Sequence, residues 1–282
     1  MKTKGVNTMA LPSGREAETY FFYRQVIGIL NRNFVPFLLG GGFAFEFYTH
    51  MGRSIKDMDI FMSRKSLDRA FQVLNDAGFR TEPTFPHWLG KLFHGDLVID
   101  LIFSSGNGLC EVDDVWFERA VPGQVFGFPI KFCPVEEMIW SKAFIMERER
   151  YDGGDVAHLI LKCGSRLDWN HLVNRFGSHW RVLLNHLVLF GYIYPSERLL
   201  VPPTILRVLL DRLTQEIDIT GAADQPCQGP LLSRTQFRVD IEKLGYKDAR
   251  LLPEGNMSAA ETALWTEAGE AETTNVSKTD GQ

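Results

Sequence analysis

Several things are scarce in this sequence, and each scarcity excludes a class. Its 282 residues include four cysteines, Cys110, Cys133, Cys163 and Cys227, widely scattered and forming no Cys-x-x-Cys pair. That spacing argues against a zinc site and, in a chain this long, against a disulfide framework. Reduced thiols and a cytoplasmic location are expected. The lysines near Met1 are followed by no apolar segment of the secretory kind. The longest charge-free apolar run, residues 182–196, is shorter than a membrane span and contains Asn185 and His186. No membrane partner is expected. Basic excess is also missing. Six acidic residues from Glu254 onward face the single Lys278, so the formal charge of −5 belongs to the C-terminal stretch and residues 1–253 balance at zero. A protein that holds nucleic acid mainly through phosphates would show the opposite excess, which disfavours nucleic acid as a partner. No internal repeat is found.

With 45% hydrophobic residues, the chain can bury one sizeable core or two modest ones. Helical spacing over residues 15–31 (Tyr20, Tyr23, Val26, Ile27, Leu30) predicts a core-packed helix. A short buried strand over 37–39 runs into Gly40-Gly41-Gly42, a helix follows over 43–48, and a strand covers 58–62. An amphipathic helix is predicted over 66–77, stopping at Gly78. Residues 89–93 and 97–103 form a hairpin about His94-Gly95-Asp96. A strand near 130–132 precedes a long helix from Val135 to about Arg150. The fold class is α/β (α+β), a mixed sheet followed by helices. Four regions are expected: 1–150 α/β, 151–218 helical, 219–253 a linker with a small ordered element, and 254–282 a disordered acidic tail.

The informative stretch is residues 38–61. Asp57 and Asp59 stand two apart among apolar residues, so on a strand both carboxylates leave one face. They repel each other unless a cation lies between them. The glycine turn upstream offers exposed backbone N–H groups and close approach, which suits a phosphate. Asp100 interrupts the apolar run Leu97-Val98-Ile99-Asp100-Leu101-Ile102-Phe103, where a lone carboxylate needs a partner or a metal. Its apolar neighbours offer no local cation; the nearest, Lys91, is on the other hairpin arm. If the two strands are adjacent, three carboxylates converge into oxygen ligands that suit Mg²⁺, with two ions expected and Mn²⁺ as the alternative.

Gly41-Gly42, a gap, Asp57-x-Asp59 and a later strand Asp100 resemble the DNA polymerase β-like nucleotidyltransferases. The wording from Gly41 to Ile60 is most similar to the aminoglycoside and lincosamide nucleotidyltransferases. The resemblance covers about residues 35–160, with a Gly-to-Asp gap wider than in polymerases. It implies transfer of a nucleoside monophosphate from an NTP to an acceptor hydroxyl, with release of pyrophosphate. Asp57 and Asp59 would bind metal, and Asp100 would complete the site and take the hydroxyl proton. Gly41 and Gly42 would hold the triphosphate. Residues 141–155 resemble the helix that follows the sheet in minimal and toxin-type members, which casts Lys142 as a triphosphate contact, with Arg53 as a second. A small-molecule acceptor is the leading reading. A toxin-like enzyme acting on tRNA or protein, with an antitoxin partner, and a non-catalytic nucleotide-binding module are the alternatives.

Other features weigh less. Gly40–Gly42 continue into neither a dinucleotide fingerprint nor a P-loop. Trp140, Trp169 and Trp180 read as core, and His179 and His186 as core or surface histidines rather than ligands. Asp152 and Asp155 read as a helix cap or as partners of Arg148 or Arg150. Residues 229–237 are distinctive and without an assigned role.

Overall fold

The computed structural model of the chain describes residues 14–219 and 226–279, with side chains as far as Gly269. In chain order it contains α1 (Arg15–Arg32), β1 (Leu38–Leu39), α2 (Gly41–Thr49), β2 (Met58–Phe61), α3 (Arg64–Asp76), β3 (Arg80–Phe85), β4 (Leu89–His94) and β5 (Leu97–Ile102). Then come α4 (Asp114–Glu118), β6 (Val121–Val125), β7 (Phe128–Phe132), α5 (Val135–Ala143), α6 (Gly153–Cys163), α7 (Trp169–Phe176), α8 (Trp180–Ile193) and α9 (Pro203–Glu216). Short α10 (Arg238–Glu242) and long α11 (Ala259–Thr279) close the chain.

The strands form one 7-stranded mixed sheet in the order β3-β4-β5-β2-β1-β7-β6. β2 runs parallel to β5 and β1 parallel to β7, while the other neighbours are antiparallel. Both edge strands carry a proline, Pro83 in β3 and Pro122 in β6, a position where sheets tolerate the missing N–H. That composition hides both strands from periodicity, and neither is predicted from the sequence. One face of the central strands carries Met58, Ile60, Ile99 and Leu101, all fully buried, each worth about 1.5–3 kcal/mol of transfer free energy. Gly90, in register with Leu101, lies under Phe71 and Leu67 of α3, so α3 covers that face. The other face carries Asp59, Phe61 and Asp100.

Helices α6 and α7 pack on α5 and α8, α9 packs on α8, and α2 leans on α6. Trp140, Trp169 and Trp180 are buried there as expected. One continuous cluster runs from Phe22 through the sheet to Leu209, so no core boundary falls at the division expected at residue 150. All four cysteines are free thiols. Among the described residues, no helix is long and apolar enough to cross a membrane.

Two expectations fail locally. The helix expected over 135–150 ends at Ala143, and residues 144–152 form a loop closed by a Met146–Tyr151 bridge. Its backbone is claimed from outside: Met146 N–H donates to the Leu232 carbonyl, and the Gln236 amide donates to the Met146 carbonyl. The tail expected to be disordered instead forms α11. Ser258 and Glu261 cap it reciprocally, the Ser258 N–H donating to Glu261 Oε2 at 2.8 Å and the Glu261 N–H to Ser258 Oγ at 3.3 Å. Trp265 then packs edge-on against Phe85 and Trp88, with ring centroids 4.9 and 5.1 Å away. Residues 280–282 lie outside the described residues.

Candidate active site

Register brings the chemistry together. Asp59 on β2 is opposite Asp100 on β5, Asp100 is opposite Lys91 on β4, and Lys91 is opposite Glu82 on β3. Register partners share a face, so from Asp59 outward these side chains form one transverse row of acid, acid, base, acid. Asp57 sits one residue ahead of β2, exposed. The expectation that Asp100 lacks a cation is corrected here: Lys91 Nζ approaches Asp100 Oδ1 to 3.2 Å, both side chains about three-tenths exposed (29% and 30%). Hairpin geometry made the pair, because a two-residue turn at Gly95 and Asp96 sets Lys91 across from Asp100. At that distance and orientation the contact is chiefly electrostatic, and Lys91 is the partner of Asp100 Oδ1.

The row ends at the glycine turn. Gly40 N–H donates to the Asp59 carbonyl at 3.0 Å, and its Cα has room for no side chain because the Phe61 ring lies 2.2 Å from where a Cβ would be. Gly41 has φ +49, and a Cβ there would lie 1.6 Å from Asp59 Oδ2. The turn is therefore the first turn of α2, which starts two residues earlier than its sequence suggests. The first helical bond runs from Ala44 N–H to the Gly40 carbonyl, so the N–H groups of Gly41, Gly42 and Phe43 precede it and face outward from the helix start.

Cations gather opposite. Lys142 Nζ lies 2.8 Å from both Asp152 Oδ2 and Asp155 Oδ2. Arg53 reaches Asp155 Oδ1 at 2.7 Å and lies over the Phe45 ring. The loop carrying Arg53 is anchored by Glu46, whose carboxylate accepts the N–H groups of Gly52 and Arg53 at 3.1 Å each. Arg150 binds Asp152 with two parallel bonds of 3.0 Å. The lysine and arginine singled out in the sequence are thus drawn together, each held by a carboxylate at the start of α6.

Electrostatics links the two groups. Burial, and then the charges of Asp57 and Asp100, push Asp59 from the usual carboxylate range up to about 7, against the smaller pull of Lys142 and Arg150. Asp100 is also raised, by burial first, with Lys91 opposing. Tyr23 of α1, buried against Phe43 and Phe126, is pushed up to about 12 by burial and by Asp57, Asp59 and Asp100. Sequence reasoning passed over Tyr23, Gly40, Lys91 and Arg150 as site residues. Only the breaker string Tyr151-Asp152-Gly153-Gly154 after Arg150 hinted that the helix had already ended. His186 is a core histidine, hydrogen-bonded to the Ala143 carbonyl at 2.9 Å.

A half-buried carboxylate pair facing the helix-start amides, with cations opposite, suits the handling of a nucleoside triphosphate, and the class it defines is the nucleotidyltransferases. Residues 18–184, more than half of the chain, match the family described as "uncharacterised nucleotidyltransferase", and the chain belongs to that family. It is an enzyme of that class, as the Gly-Gly…Asp-x-Asp resemblance implied. Comparison with curated proteins finds no match. Among solved structures, it is similar to the antibiotic-resistance factor ANT(2'')-Ia at 15% identity and a TM-score of 0.44, over 60% of this chain and 96% of the other. It is similar to the lincomycin-bound lincosamide antibiotic adenylyltransferase LnuA at 16% identity and a TM-score of 0.35, over 50% and 95% of the two chains. JHP933 from Helicobacter pylori aligns at 13% identity and a TM-score of 0.35, over 73% and 96%. At these scores the likeness assigns no substrate and no residue's role.

Proposed function

We propose that this nucleotidyltransferase moves a nucleoside monophosphate from an NTP to a hydroxyl of a small molecule, releasing pyrophosphate. The observation that carries the reading is the contact between Gly41 and Asp59. It sets phosphate-binding amides against the carboxylate whose raised proton affinity calls for a cation. The formally neutral charge of residues 1–253 favours a small acceptor over nucleic acid.

The donor set fits a hard divalent cation. Asp57, Asp59 and Asp100 offer carboxylate oxygens, and two of the carboxylates resist ionisation unaided. Among the described residues, no three acidic or imidazole side chains gather closely enough to hold a metal alone. Phosphate oxygens would complete the shell, which is how Mg²⁺ usually binds. When bound, Mg²⁺ would neutralise charge developing on the phosphates.

The chain's own residues do the rest. The N–H groups of Gly41 and Gly42 hold phosphate oxygens at the positive end of α2. Lys142 and Arg53, steadied by Asp155, supply positive charge toward the departing pyrophosphate. Asp100, its proton affinity raised by burial, accepts the proton of the acceptor hydroxyl as that oxygen attacks the α-phosphorus.

Mg²⁺ and NTP together should raise the melting temperature by about 5 °C or more at saturating ligand, beyond either alone. Labelled NTP incubated with Mg²⁺ and cell extract should deliver label to small molecules. Stabilisation by NTP that ignores the metal, or label ending in RNA or protein, would overturn the corresponding half of the reading.

A further inference from the structure

The segment after residue 226 lies beyond the family match, yet it is tied to the site. Its contacts converge on the loop of residues 144–152. Glu147, on that loop, accepts the Ser233 hydroxyl at 2.6 Å and the Arg234 N–H at 3.2 Å, and pairs with the Arg234 guanidinium at 3.3 Å. The two charged side chains are 17% and 12% exposed, so this is a largely desolvated pair, with several donors satisfying one carboxylate. Arg234 in turn lies 4.2 Å over the Trp265 ring of α11. The same segment also bonds the loop at the Met146 backbone, through the Leu232 carbonyl and the Gln236 side-chain amide.

The loop's other edge carries Arg150. Its guanidinium is oriented by the paired bonds to Asp152, its side chain is 65% exposed, and Nη1 has no protein partner among the described residues. It shares Asp152 Oδ2 with Lys142, whose Nζ lies 2.8 Å from that oxygen, and its charge is felt at Asp59 and Asp100. A planar cation held on one edge and open on the other, beside the carboxylates, is built to take a phosphate.

We infer that Arg150 binds the phosphates of the nucleotide, and that the C-terminal strap, acting through Glu147, is what holds the loop presenting it. The inference rests on the proposed nucleotide site. Arg150 is the contact; Glu147 and Ser233 are positioning residues. Residues 226–269 thereby become part of the nucleotide site rather than an appendage.

The test uses the full chain, Mg²⁺ and a non-hydrolysable NTP analogue, with affinity measured by calorimetry. Arg150→Ala should weaken binding by about tenfold to a hundredfold, with Arg150→Lys in between. Glu147→Ala should weaken it several-fold and speed amide exchange in residues 144–152, while adding little in an Arg150→Ala background, because its effect passes through Arg150. Gln236→Ala, which removes only the bond to the Met146 carbonyl, should reproduce the faster exchange if Glu147→Ala fails to fold. Wild-type affinity in Arg150→Ala would overturn the contact. A full Glu147→Ala loss on top of Arg150→Ala, or unchanged exchange in both strap variants, would overturn the positioning. If the wild type binds no Mg–NTP, the nucleotide site falls and this inference with it. If binding is abolished by Asp59→Asn but untouched by Arg150→Ala and Glu147→Ala, only this inference falls.

Discussion

Asp59 Oδ2 occupies the space that a side chain on Gly41 would need, 1.6 Å from the position of its Cβ. Gly41 also holds a left-handed φ of +49, so an alanine there meets both a steric and a conformational barrier. Gly41→Ala should lower transfer by at least about a hundredfold, because moving Asp59 by an ångström misplaces the reacting groups. Gly42→Ala faces only the Ile55 side chain, at 3.3 Å, and should retain most activity. Steady-state rates of the two variants decide this; equal losses would contradict it.

Asp59 should make the metal-free protein lose stability as pH rises. Its folded-state affinity for a proton, near pH 7, exceeds that of the unfolded chain, near 3.8. The folded protein therefore binds the extra proton, and stability declines between about pH 4 and pH 7 with the whole cost present above that window. Asp59→Asn should be more stable than wild type at pH 8 without metal and no more stable at pH 4, while transferring orders of magnitude more slowly. Denaturant titrations at the two pH values measure it.

Asp100 and Lys91 form a partly exposed pair, which bounds what breaking it can cost. A fully buried pair would cost about 3–5 kcal/mol when one partner is removed. Here both side chains keep nearly a third of their exposure, and the loss should be about 1 kcal/mol. Asp100→Asn gives up that contact but also removes a charge the fold disfavours, so it should change the melting temperature little while abolishing nearly all transfer. Lys91→Ala should instead leave a working site whose acidic limb moves to higher pH, since Lys91 is what holds Asp100 down. An unmoved pH–rate profile would show that Asp100 is not the base.

His186 gives an opposite pH dependence. Burial lowers its proton affinity, so it stays neutral in the fold and ionises more readily in the unfolded chain. Stability linked to it is complete above about pH 6.5 and is lost as pH falls through the depressed folded value. His186→Gln can keep a hydrogen bond to the Ala143 carbonyl without titrating. The free-energy difference between wild type and variant should therefore shrink from pH 7.5 to pH 5.5; a constant difference would exclude this account.

How much was legible follows from the range of the signals. Asp57, Asp59 and the glycines lie within about twenty residues of one another, and a glycine turn followed by carboxylates at the start of a strand carries its chemistry in spacing alone. Asp100 could be recognised because a charge in an apolar run is costly wherever that run lies. Central strands and amphipathic helices were readable for the same local reason. Edge strands containing Pro83 and Pro122 were not, since their hydrogen bonds come from one neighbour only. The capping pair Ser258 and Glu261 was present in the sequence but marked a helix held in place by one aromatic side chain, Trp265.

By itself the sequence determined the class of fold, the central strands and the carboxylates with their glycine turn. Each depends on residues near in the chain, whose spacing decides which face they share. Only the tertiary structure decided that Lys91 faces Asp100, that α5 ends at Ala143, and that Arg150 stands beside the site with a C-terminal strap behind it. These depend on strand register and on contacts between residues as far apart as Glu147 and Ser233. Such partners are chosen by which groups packing brings within hydrogen-bonding range, and no periodicity in either segment records that choice.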